Sequence, residues 1–228
     1  MDHTLIDANS GRVYARALSK EGQLNLLQSL KVAVLIARYK IAGSDMSDML
    51  RGVVQGLQGK PEQEVVARCA RLFHAEIAPT LFTEALAVVQ THRAAGEPIV
   101  VLSASTPYFV RLLADHISAD GYLCTRPLVE NGIFTGACDE PVCYGPGKLE
   151  WARRYCSQHG LSLSHSAFYT DSYSDVSVLE AVGRPVVVNP DPRLRRHAQR
   201  RGWPIVRYRT RVSAGSAGPS KTSGAVDG

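Results

Sequence analysis

AFYTDSYSD, residues 167–175, opens with an apolar, aromatic run and then turns polar, with Asp171 and Asp175 four residues apart. Residues of the first kind favour a strand. The two acids then stand just past its C-terminal end. In open parallel sheets, ligands bind in the crevice beyond the C-terminal ends of the strands. Taken alone, the two acids fit equally a helix N-cap and a first-turn acid. The surrounding sequence has to decide.

Three further stretches read as strands: PIVVLSA (98–104), PVVVNP (185–190) and WPIVRY (203–208). Helical patterns fall between them, near 106–117, 147–159, 174–182 and 191–201. Strands alternating with helices predict βαβ units and a parallel sheet. LVENGIFTG (128–136) carries an Asn-Gly turn between β-prone residues and reads as a hairpin.

Residues 12–95 read as helices. In SDMSDMLRGVVQGL, Met46, Met49, Leu50, Val53, Val54 and Leu57 share one face, with Ser44 and Asp45 as N-cap. PEQEVVARCARLFHAEIA repeats the pattern with Val65, Cys69, Leu72 and Phe73. A third helix is expected from about Pro79 to Gly96. His74 and His92 lie on such helices and read as structural or surface residues. The domain plan is a remnant of a first core motif at 1–11, a helical module at 12–95, an α/β core at 96–209, and a Ser/Gly/Ala/Pro tail at 210–228 expected to be disordered.

Composition bounds the function class. The 228 residues are long enough to bury a core. Five cysteines without CxxC spacing fit reduced thiols in a cytosol rather than a disulfide framework. No signal peptide is visible, and the longest apolar run, VAVLIA, is too short to span a bilayer. A cytoplasmic protein without membrane partners is the expectation. Of the 26 basic residues, eight are arginines between Arg193 and Arg211, a stretch without acids. The net charge of +5 is thus local. It reads as a solvated arginine face, and nucleic acid is not the expected partner.

Polar residues now collect at one rim. Ser103 follows PIVVL, Asp171 and Asp175 follow AFYT, Lys148 ends GPGK before a helix, and Asp2 and Thr4 stand at the amino end. Carboxylates at such a rim suit a hard cation such as Mg²⁺. The hydroxyl and the ammonium suit a phosphate.

With these residues the sequence resembles the haloacid dehalogenase superfamily, in the phosphoserine-phosphatase-like branch, subfamily IB. MDHT matches the last four positions of the D-x-D-x-T motif, VVLSAS the second motif at Ser103, GPGKLEWARRY the third at Lys148, and AFYTDSYSD the fourth at Asp171 and Asp175. VVVNPDPRLRRHAQRRGWPI is similar to the closing segment of the branch. The resemblance implies a Rossmann-like parallel sheet core with an inserted helical cap. It implies a Mg²⁺-dependent phosphomonoesterase acting on a small phosphorylated metabolite through an aspartyl-phosphate. Asp2 would be the general acid and base and offer its carbonyl to the metal. Ser103 and Lys148 would hold the phosphoryl oxygens. Asp171 would bind the metal, with Asp175 supporting the metal shell and Lys148. Thr4 would orient Asp2 or its loop.

Two consequences follow from the match. The nucleophile of that motif falls on the position before Met1, together with the first core strand. The chain as given is therefore expected to be truncated and inactive; the alternative is a genuine short form that binds a phosphorylated ligand or a partner without turnover. Asn9 stands where phosphoserine phosphatases carry a glutamate for the substrate amine. A neutral amide pairs less well with an ammonium. Histidinol phosphate or another small phosphomonoester stays open beside phosphoserine.

Overall fold

The computed structural model describes residues 1–22 and 46–212. The proposed cap at Ser44 and Asp45, the VAVLIA run and residues 213–228 of the tail lie outside them. Residues 210–212 are tied down: Thr210 accepts from the Thr83 amide, and the Val212 amide donates to Leu81.

The helical part begins with α1 (Ser10–Lys20), whose Val13 and Ala17 are buried one turn apart. α2 (Met46–Gln55) buries Val54, whereas Val53 is 48% exposed, so the apolar face is narrower than its spacing predicts. α3 (Glu62–Leu72) buries Val65 and Cys69. A single wider π-helical turn, Phe73–Ile77, then carries the buried stripe on to Phe73 and Ile77. α4 (Thr83–Ala94) starts later than Pro79, because Pro79 sits in a short 3₁₀ turn and Phe82 donates its amide to Leu5.

The α/β part runs β1 (Val100–Leu102), α5 (Pro107–His116), β2 (Gly121–Leu123), the hairpin β3 (Pro127–Glu130) and β4 (Ile133–Cys138), α6 (Pro146–Gln158), β5 (Ala167–Thr170), α7 (Val176–Ala181), β6 (Arg184–Val188), α8 (Pro192–Arg201) and β7 (Ile205–Val206). The hairpin turns at Asn131-Gly132, both at positive φ, as the Asn-Gly signal requires. The parallel sheet is in two pieces. β1 pairs with β2, and β5, β6 and β7 form a separate parallel set. Among the described residues, β1 has no partner on its other side, and neither does β5.

A largely apolar cavity of about 450 Å³ separates the two pieces, with Val101 on one wall and Phe168 on the other. Met1, Thr4 and Leu5 also line it. The main core holds Ile6, Phe73, Ile77, Leu81, Val110 and Leu113, so the amino-terminal loop packs against the helices of both parts. A smaller cluster of Leu179, Val187, Leu194 and Ala198 seats α7 and α8 on β6.

Candidate active site

The polar cavity lies elsewhere, at the C-terminal ends of β1 and β5. It measures about 230 Å³ and is lined by Asp2, Asn9, Ser103, Lys148, Asp171 and Asp175, among others. Six of the seven candidates read from sequence thus share one cavity. Thr4 is just behind it, buried, donating its hydroxyl to Asp171 Oδ1 at 3.1 Å rather than to Asp2.

Local structure explains each placement. β5 ends at Thr170, and the chain turns through the 3₁₀ segment Tyr173–Asp175 into α7. Asp191 pins that turn. One of its oxygens accepts from the Tyr173 amide at 2.6 Å; the other caps α8 through the amides of Arg193 and Leu194. Its own amide donates to the Asp171 carbonyl. Lys148 is delivered by the start of α6, where Gly145 at φ 51 turns the chain and Pro146 opens the helix.

Lys148 and Asp175 are both buried and meet at 2.8 Å. Thr170 donates to the same Asp175 oxygen at 2.7 Å, and Ser174 donates to the other at 3.3 Å. Burial alone would raise the Asp175 carboxyl; Lys148 and Thr170 outweigh it and hold it below the ordinary range. Burial likewise pulls Lys148 down, and Asp175 outweighs it, so the ammonium stays charged. Asp171 is different. Burial raises its carboxyl above the ordinary value despite the Thr4 hydrogen bond.

Asp2 is held by α1. The Ser10 amide and the Ser10 hydroxyl both donate to Asp2 Oδ2, at 3.0 and 3.1 Å. Oδ1 is buried and has no hydrogen-bond partner among the described residues. Ser103 is 6% exposed, and its hydroxyl accepts from the Ser105 amide at 3.2 Å. Asn9 accepts from the Arg12 amide at 2.9 Å and so serves as the N-cap of α1. Ser10, Ser105, Thr170 and Asp191 were not legible as site residues. Small hydroxyl residues at element ends are too common to signal a site by type alone.

The α-amino group of Met1 is buried among Lys148, Asp2, Asp171 and Asp175, and burial lowers its pKa, with Lys148 adding to the effect. Among the described residues no group of three or more His, Cys, Asp and Glu side chains is arranged to hold a metal. Asp171 nevertheless brings to the cavity a carboxylate that is not ion-paired with a described side chain, next to the loop that carries Asp2. Mg²⁺ is commonly held by one or two carboxylates together with waters and substrate phosphates, so the donor set fits.

The model of the haloacid dehalogenase-like hydrolases matches residues 1–180. This chain belongs to that family. It is 32% identical to a probable phosphatase of Mycobacterium tuberculosis, over 99% of this chain and 82% of that protein. It is 30% identical to a phosphoserine phosphatase of the same organism, over 96% of this chain and 72% of the other. A crystal structure of a Bordetella pertussis protein of unknown function superposes with a TM-score of 0.83 at 28% identity, covering 90% of this chain and 95% of that one. The chain is a haloacid dehalogenase-family phosphatase with phosphoserine-phosphatase-like relatives. No described helix is long and apolar enough to cross a membrane.

Proposed function

We propose that this protein hydrolyses small phosphomonoesters with Mg²⁺ through an aspartyl-phosphate. The observation that carries the reading is the convergence of Ser103, Lys148, Asp2 and Asp171 on one small polar cavity at the strand ends. An ammonium and a hydroxyl facing carboxylates suit a phosphoryl group beside a cation.

The Asp171 carboxylate and the backbone carbonyl of Asp2 would hold Mg²⁺, which when bound would let an anionic nucleophile approach an anionic ester. Lys148, kept charged by Asp175, and Ser103 hold the phosphoryl oxygens and stabilise the charge of the transition state. The attacking group is a carboxylate, as an aspartyl-phosphate requires. Its oxygen bonds to phosphorus as the ester P–O bond breaks. The leaving oxygen keeps the electron pair and takes a proton from Asp2. Asp2 then removes a proton from water, whose oxygen attacks phosphorus as the bond to the aspartyl oxygen breaks, releasing inorganic phosphate and restoring the attacking carboxylate.

Asn9 favours a substrate other than phosphoserine, since its amide oxygen is already engaged in capping α1 and it bears no charge for an ammonium. The test is hydrolysis of p-nitrophenyl phosphate by protein carrying an apolar strand and Asp ahead of Met1. Turnover should need Mg²⁺ and vanish in Asp171→Ala. Phosphate-ester binding without turnover in that protein would overturn the reading in favour of a binding role.

A further inference from the structure

Ser10 bridges two parts of the site that lie far apart in sequence. Its single hydroxyl proton goes to Asp2 Oδ2, so its contact with the Ser105 hydroxyl at 3.3 Å is one in which Ser105 donates. Ser105 in turn gives its amide to the Ser103 hydroxyl. The chain of contacts is therefore Asp2, Ser10, Ser105, Ser103. Ser10 is 1% exposed and opens α1, so its position is fixed by the helix rather than by solvent.

This arrangement does something specific to Asp2. Both donors from Ser10 converge on one carboxylate oxygen, which locks the rotation of the group. The other oxygen, Oδ1, is left buried and without a partner among the described residues. Buried polar atoms are almost always hydrogen-bonded, so an orphan in a cavity calls for a role. We propose that Ser10 is a positioning residue for proton transfer, which holds Asp2 so that Oδ1 alone exchanges the proton with the leaving oxygen. Ser105 ties that alignment to the hydroxyl of Ser103. The inference rests on the hydrolase reading above and adds to it the residue that aims the acid.

The experiment compares kcat/KM for an alkyl phosphate and for p-nitrophenyl phosphate with Mg²⁺, in the same protein that tests the hydrolase reading, before and after Ser10→Ala. This parameter reports the steps through departure of the leaving group. An alkoxide needs its proton and nitrophenolate does not. Because positioned acids contribute about 10²–10⁴-fold, a misaimed one should cost the alkyl ester roughly 10- to 100-fold. The aryl ester should fall less than about threefold, and Ser10→Thr should restore the alkyl rate. Equal losses on both esters would mean that Ser10 is merely structural, and the proposal fails. If the parent hydrolyses neither ester, the hydrolase reading fails separately. The crystal structure of Ser10→Ala then decides the present point: a rotated Asp2 carboxylate supports it, and an unmoved one overturns it.

Discussion

Lys148 and Asp175 form a buried ion pair at 2.8 Å, with Thr170 donating into the same carboxylate oxygen. Removing one partner of such a pair strands the other charge. Asp175→Ala should therefore destabilise the protein by about 3–5 kcal/mol in denaturant unfolding. The sign with pH follows from the two shifts. Asp175 titrates below 3.8, so its contribution is present above that value and is lost as pH falls through the lower folded-state value. Lys148 is held above 10.5, so its contribution is complete below that and is lost as pH rises through the higher one. Unfolding profiles from acid to alkaline pH should flatten at the acid end in Asp175→Asn.

Asp171 carries a half-buried carboxylate that accepts a hydrogen bond from Thr4. A cation bound there should stabilise the folded chain. At a hundredfold excess over its dissociation constant, Mg²⁺ should add about 2.7 kcal/mol. Calorimetry with and without Mg²⁺ measures this, and Asp171→Asn should abolish the increment. A Tm that ignores Mg²⁺ in the parent would remove Asp171 from the metal site.

Gly147 has no room for a methyl group. A Cβ there would stand 2.0 Å from the Val142 carbonyl oxygen. Gly147→Ala must push the loop before α6 away and carry Lys148 with it. A loss of about 1–3 kcal/mol is expected, the usual cost of overpacking. Phosphate affinity, followed by titration calorimetry, should weaken in the same variant.

Asn9 caps α1 through the Arg12 amide. Asn9→Ala should cost about 0.5–2 kcal/mol, whereas Asn9→Asp should cost little because aspartate caps equally well. Thermal unfolding of the two variants separates a capping role from a purely substrate-facing one.

The residues that could be read from sequence are those whose type is costly to place by accident. Carboxylates just past an apolar, aromatic run marked Asp171 and Asp175, and a lysine after Gly-Pro-Gly marked Lys148. β2 was not legible, because three residues, Gly121–Leu123, carry no periodicity to read. Val53 shared the helical spacing of Val54, but only tertiary packing chooses which flank of a stripe is covered. Thr4 was expected to orient Asp2 or its loop and instead meets Asp171, 167 residues away. Side-chain pairings between distant segments, Ser10 with Ser105 included, depend on how the loops are brought together, which local pattern does not encode.

The divided sheet has a consequence for handling the protein. The facing sides of β1 and β5 offer backbone donors and acceptors with no described partner. Such rows are templates for strand exchange between molecules. Preparations of the protein should therefore associate through intermolecular β-pairing as concentration rises, with slow growth of light scattering and of thioflavin fluorescence.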